Sequence, residues 1–215
     1  CEFLGSVNTL ISTSKLKNLV YETPIQKNAG LDVYEVPQKD HNYLITVDVA
    51  RGLGNDYSAF IVFDITNFPY KAVAKYRNNE IKPMLFPSII DDIGKAYNKA
   101  FILCEVNDIG DQVASILNYD LEYDNLLMCS QRGRAGQVVG AGFSGKRSQL
   151  GVRTTQAVKK LGCSNLKTLL EDDKILIIDY DIISELTTFA QKHNSFEAEE
   201  GCNDDLAMCL VIFAW

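Results

Sequence analysis

No stretch of this 215-residue chain approaches the roughly 18 consecutive apolar residues that a membrane-spanning helix needs, so no membrane partner is expected. A basic-then-apolar signal segment is also missing from the start, which reads Cys1-Glu2-Phe3 without a methionine. The chain is therefore expected to be a fragment or processed piece that is not secreted. Histidine is scarce, with only His41 and His193, and none of the six cysteines forms a Cys-x-x-Cys pair, which argues against structural zinc. Cys104, Cys129 and Cys209 sit inside apolar runs and read as small buried hydrophobes in a reducing compartment. The most informative scarcity is local. Between Asp124 and Glu171 there is no acidic residue, while the stretch carries Arg132, Arg134, Lys146, Arg147, Arg153, Lys159, Lys160 and Lys167. Those eight cations leave 13 against the 28 acids elsewhere, a body at −15. A basic zone on an acidic body orients a polyanion, although a charge-biased solvated loop and helix face gives the same letters.

What is present is a 47% apolar chain with regular punctuation, long enough for one large domain. Residues 1–40 show no clean period and read as a linker and lead-in segment, with a short helix or strand near Leu16 to Tyr21. From Tyr43 the signal sharpens. Tyr43 to Val49 reads as a central strand containing Asp48, followed by the Gly- and Asx-rich turn Arg51 to Asp56. Ser58 to Ile65 and Tyr70 to Tyr76 complete an antiparallel three-strand meander. Pro87 opens a helix over Ser88 to Lys99, and Phe101 to Val106 reads as a buried strand carrying Glu105. Further on come a helix over Ile109 to Asn118, a strand at Leu126 to Cys129, and a glycine-rich basic hairpin over Gly133 to Gly151. A helix over Arg153 to Leu170 with a weak point at Gly162 follows, then a strand at Lys174 to Ile178 and helices over Ile182 to Gln191 and Asp204 to Trp215. This order predicts one α/β domain over 41–215, a mixed sheet with helices on both faces.

Three acidic positions stand out. Asp48 ends the first central strand, Glu105 ends the strand after the first helix, and Asp204-Asp205 open the last helix. Strands deplete acids because burying a carboxylate costs desolvation unless something pairs it. Two carboxylates held close repel and raise a pKa unless a cation sits between them. Mg²⁺ or Mn²⁺ suits such an all-oxygen site, and one or two ions there serve phosphodiester hydrolysis. Each acid also has a bland account: Asp48 as a turn residue, Glu105 as part of a helix-capping region, and Asn203-Asp204-Asp205 as an N-cap followed by acids favoured by the helix dipole.

The segments Ile45-Thr46-Val47-Asp48-Val49-Ala50-Arg51-Gly52, Asp56-Tyr57-Ser58-Ala59, Ile102 to Asp108 and Asn203-Asp204-Asp205-Leu206 together resemble the nuclease half of tailed-phage terminase large subunits, of the T-even-like myophage type. The resemblance runs from about residue 40 to 215. It implies a ribonuclease-H/resolvase-like fold with metal carried by Asp48, Glu105 and one of Asp204 and Asp205, Asp205 being favoured, and Asp56 in a second tier. It also implies a sequence-nonspecific endonuclease that cuts concatemeric double-stranded DNA during headful packaging. An ATPase motor would precede residue 1, with the portal and the small terminase subunit as partners, at the capsid portal in the host cytoplasm. Arg132, Arg134, Lys146, Arg147, Arg153, Lys159 and Lys160 are the candidate DNA-phosphate contacts.

Competing readings remain. Gly140 to Lys146 fits a phosphate-binding P-loop except that Arg147 stands where a Ser or Thr belongs. An actin-like or sugar-kinase ATPase also uses an early strand aspartate, but Val49-Ala50-Arg51-Gly52-Leu53-Gly54 lacks the hydroxyl of its phosphate hairpin. A Holliday-junction resolvase, a transposase-type nuclease and a non-catalytic DNA-binding module complete the alternatives.

Overall fold

The computed structural model describes residues 8–54, 56–130, 138–141 and 148–215. The short helix α1 (Thr13–Asn18) leads into two three-residue strands, β1 (Gln26–Asn28) and β2 (Leu31–Val33). The meander follows as β3 (Tyr43–Asp48), β4 (Ser58–Asp64) and β5 (Tyr70–Asn78), then α2 (Phe86–Ala96) and β6 (Phe101–Cys104). Next come α3 (Gly110–Ser115), which runs on into a π-type turn over Ile116–Asp120, and β7 (Leu127–Ser130), β8 (Val138–Ala141) and β9 (Ser148–Leu150). The remainder is α4 (Gln156–Glu171), β10 (Ile175–Leu176), α5 (Tyr180–Thr188), the pair β11 (Phe189–Lys192) and β12 (Ser195–Ala198), and α6 (Asp205–Ala214).

The main sheet has seven strands in the order β1-β2-β5-β4-β3-β6, with β10 joined to β5. Neighbours from β1 to β3 are antiparallel, while β6 runs parallel to β3 and β10 parallel to β5. Strand β4 is buried along its whole length because both of its faces are covered. Ala59, Ile61 and Phe63 pack with α4, α5 and α6, whereas Phe60 and Val62 pack with α2 and α3. Helix α6 lies in the first of these layers, and every residue from Asp205 to Ile212 is buried. Each of its large apolar side chains contributes about 1.5–3 kcal/mol by leaving water.

The meander, the mixed sheet and the two helical layers follow the sequence reading; five details differ. Residues 9–34 are built into the fold: Leu10, Ile11 and Leu16 are core, and β2 pairs with β5. A three-residue strand is too short to show a period, which is why the sequence hid it. The expected hairpin over Gly133 to Gly151 is, where described, two strands on opposite sides of β7 rather than paired with each other. Helix α4 is unbroken at Gly162. A Cβ there would lie 2.4 Å from the Val211 carbonyl oxygen, so the glycine is the point where α4 and α6 touch backbone to backbone. The helix expected to Asn118 leaves α geometry after Ser115, where it turns into the π-type segment. The helix expected to Gln191 ends at Thr188 and the chain turns into the β11–β12 pair, although Phe189 and Ala190 continue the apolar spacing of α5.

Candidate metal centre

Strand parity brings the first two acids together. On β3, Tyr43, Ile45 and Val47 face the α2/α3 layer, so Thr46 and Asp48 face α6, and the Thr46 hydroxyl donates to the Cys209 carbonyl at 2.9 Å. On β6, Ile102 and Cys104 face the α2/α3 layer, so Leu103 and the following Glu105 face α6. Val47 pairs with Cys104 in the parallel register, and the Glu105 amide donates to the Val47 carbonyl at 2.9 Å. Asp48 and Glu105 are therefore neighbours across adjacent strands on one face. On its other side Glu105 bridges to Val152, so its backbone is held from both edges. Its side chain accepts from Asn107 Nδ2 at 2.9 Å, and the same amide group donates to the Thr154 carbonyl at 3.2 Å. A Cβ on Gly110 would lie 2.0 Å from the Glu105 carbonyl oxygen, so α3 can begin that close only with glycine.

The third acid arrives on α6. Asp205 is its first residue and is 8% exposed; its Oδ1 accepts the Tyr57 amide at 3.2 Å, while Oδ2 is buried without a hydrogen-bond partner. Asp48, Val49, Ala50, Arg51, Leu53, Asp56, Asp108 and Asp205 line one pocket of about 290 Å³. Asp56 is exposed at its rim. Asp204 is the N-cap position of α6 and its Oδ2 accepts the Ala198 amide at 3.2 Å. The N-cap reading of Asn203-Asp204-Asp205 is corrected: the cap position falls on Asp204, whose side chain makes no capping bond, with Asp205 as the acid in the first turn.

Electrostatics set this cleft apart. Burial, then the charge of Glu105 and a hydrogen bond shared with it, then Asp205 and Asp204, push the Asp48 carboxyl well above the ordinary carboxylate range. Burial and the nearby Asp204 and Asp56 raise Asp205 to about 6 against the pull of the Tyr57 amide and Arg77. Two carboxyls can share a hydrogen bond only if one holds a proton, and a hard divalent cation can take that proton's place. The all-oxygen donor set and the orphaned Asp205 Oδ2 suit such an ion chemically, although Asp48, Glu105 and Asp205 do not bring a ligand oxygen each within 4.8 Å of one another.

A second acidic group tests this reading. Ligand oxygens of Asp32, Asp179 and Asp181 lie within 4.8 Å of one another. Lys75 Nζ sits among them at 2.8, 3.4 and 2.6 Å respectively, and the Tyr34 hydroxyl donates to Asp179 at 2.6 Å. That cluster already holds its cation, a buried ammonium.

Of the expected phosphate contacts, Arg132, Arg134, Lys146 and Arg147 lie outside the described residues. Arg153 is exposed immediately after Val152, the residue bridged to Glu105. Lys160 is exposed on α4, and Lys159 lies 5.6 Å from the centroid of the Phe189 ring. The P-loop alternative fails on topology: strand β9 stands where a phosphate-binding loop needs a helix N-terminus. Sequence reading missed the Arg51–Asp108 ion pair at the cleft mouth, with contacts of 2.7 and 2.6 Å, although Asp108 closes the motif that holds Glu105. It also missed Arg77 and Glu185, for which no local signal exists.

A sequence model described as "Terminase RNaseH-like domain" matches residues 45–211. The chain belongs to that family. The terminase RNase H-like domain is also similar in structure to the magnesium-bound large terminase nuclease of thermophilic phage G20c. The two share 21% identity and a TM-score of 0.71, covering 96% of each chain. The large terminase nuclease domain of Thermus phage P74-26 matches at 20% identity and TM-score 0.67, over 95% of this chain and 93% of that one. A large terminase from a thermophilic bacteriophage, in complex with ADP, matches at 11% identity and TM-score 0.54. The match covers 83% of this chain but only 40% of that longer one. At these identities the likeness establishes the fold: the cleft acids sit on the terminase RNase H-like scaffold.

Proposed function

We propose that this domain is a divalent-metal-dependent DNA endonuclease, largely indifferent to base sequence, that cuts concatemeric phage DNA during headful packaging. The observation that carries the proposal is the cleft itself, where Asp48 and Glu105 stand side by side on parallel strands beneath Asp205 with its free oxygen. A closed structural site would satisfy its ligands; this one leaves an open pocket beside them. Asp48, Glu105 and Asp205 would hold one or two Mg²⁺ or Mn²⁺ ions, with Asp204 and Asp56 close enough to add charge. Such an ion supplies a lowered pKa for water and positive charge against the phosphodiester oxygens. The G20c nuclease structures with magnesium and with cobalt support this assignment. Arg153 and Lys160, together with Lys159, Arg132, Arg134, Lys146 and Arg147, would grip phosphates without reading bases.

The larger context is proposed on the same footing. Residues 41–215 carry the cleft, and the chain up to residue 40, part of which packs onto the nuclease core, would lead to an ATPase motor, as the greater length of the ADP-bound large terminase suggests. The motor, the portal and the small terminase subunit would deliver double-stranded DNA to the cleft at the capsid portal in the host cytoplasm. The test is plasmid cleavage in Mg²⁺ by wild type and Asp48→Asn at equal, folded concentration. Loss of cutting in the variant is expected; undiminished cutting ends the proposal. A strong preference for branched over linear DNA would move the assignment to a junction resolvase.

A further inference from the structure

Helix α6 is capped in an unusual way. In α1, α4 and α5 the N-cap side chain does this work, while α2 and α3 have no side-chain cap. Ser12 accepts from the Lys15 amide for α1, Thr155 from Val158 for α4, and Asp179 from Ile182 for α5. In α6 the N-cap Asp204 makes no such bond. The first-turn amides of Leu206 and Ala207 instead donate to Glu185 Oε2, at 2.8 and 3.0 Å. Glu185 comes from α5 and is 5% exposed. These are the second and third helical positions, whose free amides an N-cap side chain ordinarily satisfies.

The glutamate is itself held. Arg77 Nη2 lies 3.3 Å from Glu185 Oε1, setting a cation beside the buried carboxyl group. The same guanidinium stacks on the Tyr57 ring, 3.9 Å from its centroid, and the Tyr57 amide donates to Asp205 Oδ1. Arg77 thus reaches both supports of Asp205: the ring of Tyr57, whose amide holds Asp205, on one side, and through Glu185 the first turn of α6 on the other. Were Asp204 to cap the helix, its carboxylate would turn back onto the Leu206 and Ala207 amides and give up the Ala198 amide it holds.

We propose that Glu185 is a positioning residue that caps α6 from outside, with Arg77 locking it in place, so that Asp204 is not drawn into the cap and Asp205 keeps its Oδ2 free for a divalent cation. This rests on the metal assignment above. Outer residues that orient ligands commonly change metal affinity by about 10–100-fold when replaced.

The test is a Mn²⁺ titration of the purified domain, with free ion followed by electron paramagnetic resonance and folding checked by circular dichroism. Glu185→Met keeps the side-chain length and removes the acceptor. The paired change Arg77→Met with Glu185→Met avoids leaving an unpaired charge if the single variant does not fold. Both are expected to bind Mn²⁺ about 10–100-fold more weakly than wild type. Glu185→Gln keeps an acceptor oxygen at the same reach and is expected to stay near wild-type affinity. Wild-type affinity in the methionine variants overturns the proposal, and so does a glutamine variant that loses as much as they do. An Asp48→Asn arm reports separately on the assignment beneath it. If wild type and Asp48→Asn bind Mn²⁺ alike, the metal site itself is wrong.

Discussion

Replacing Asp48 by asparagine should stabilise the metal-free protein while abolishing its response to magnesium. Across one register of a parallel pair the two acidic residues are about 4.8 Å apart. Two full charges at that spacing repel by about 3 kcal/mol at an effective dielectric near 20. Sharing a proton with Glu105, and the water that reaches the half-buried Asp48, reduce the relief to about 1–2 kcal/mol. An asparagine amide can donate to Glu105 and keep the contact. For a domain of this size each kcal/mol moves Tm by about 2–4 °C, so the variant should melt about 2–8 °C above wild type in EDTA. Magnesium at a hundred times its Kd should raise wild type by about 2.7 kcal/mol and leave the variant unmoved. Thermal melts followed by circular dichroism, with EDTA and with MgCl₂, read both effects. If the variant melts lower in EDTA, Asp48 is held by favourable partners and the like-charge reasoning fails. If magnesium lifts it as much as wild type, the ion binds elsewhere.

Three further outcomes follow from the same geometry. Asp205 is raised to about 6 from 3.8, so its contribution to metal-free stability is complete below about pH 3.8 and is lost as pH rises through 6. Protons then compete with the ion, and the rise in Tm on adding magnesium should shrink as pH falls from 7 to 5; an increment flat across that window counts against Asp205 as a ligand. Gly162→Ala puts a methyl 2.4 Å from the Val211 carbonyl oxygen and should cost about 1–3 kcal/mol, read as a lower denaturation midpoint, whereas an unchanged midpoint would mean α4 and α6 separate freely. Lys75→Met removes the ammonium among Asp32, Asp179 and Asp181, and breaking such a buried pair costs about 3–5 kcal/mol. Its Tm should fall sharply with the magnesium increment intact; loss of that increment would show the two acidic clusters to be one system.

Much of the centre was legible because a carboxylate ending an apolar strand is conspicuous, and Asp48 and Glu105 both end such runs. Alternation along β3 and β6 even assigns the two acids to one face once the neighbouring residues are known to be core. What no local pattern contains is register: whether residue 48 stands opposite residue 105 depends on how β6 slides along β3. Gly162 shows the same limit. By itself a mid-helix glycine reads as weakness, and only the approach of α6 turns it into a packing contact.

Glu185 marks the boundary most clearly. In the sequence it follows Ile182-Ile183-Ser184 as an ordinary helical acid; in the fold it is buried and caps another helix. The chain by itself determined the central strands, the helical layers and the acids that end those strands, because periodicity and the cost of burying charge act over a few residues. Tertiary structure alone decided which acids share a cleft, which share an ammonium and which serve as a cap, because those pairings join segments far apart in the chain, brought together only when the layers close on a common core.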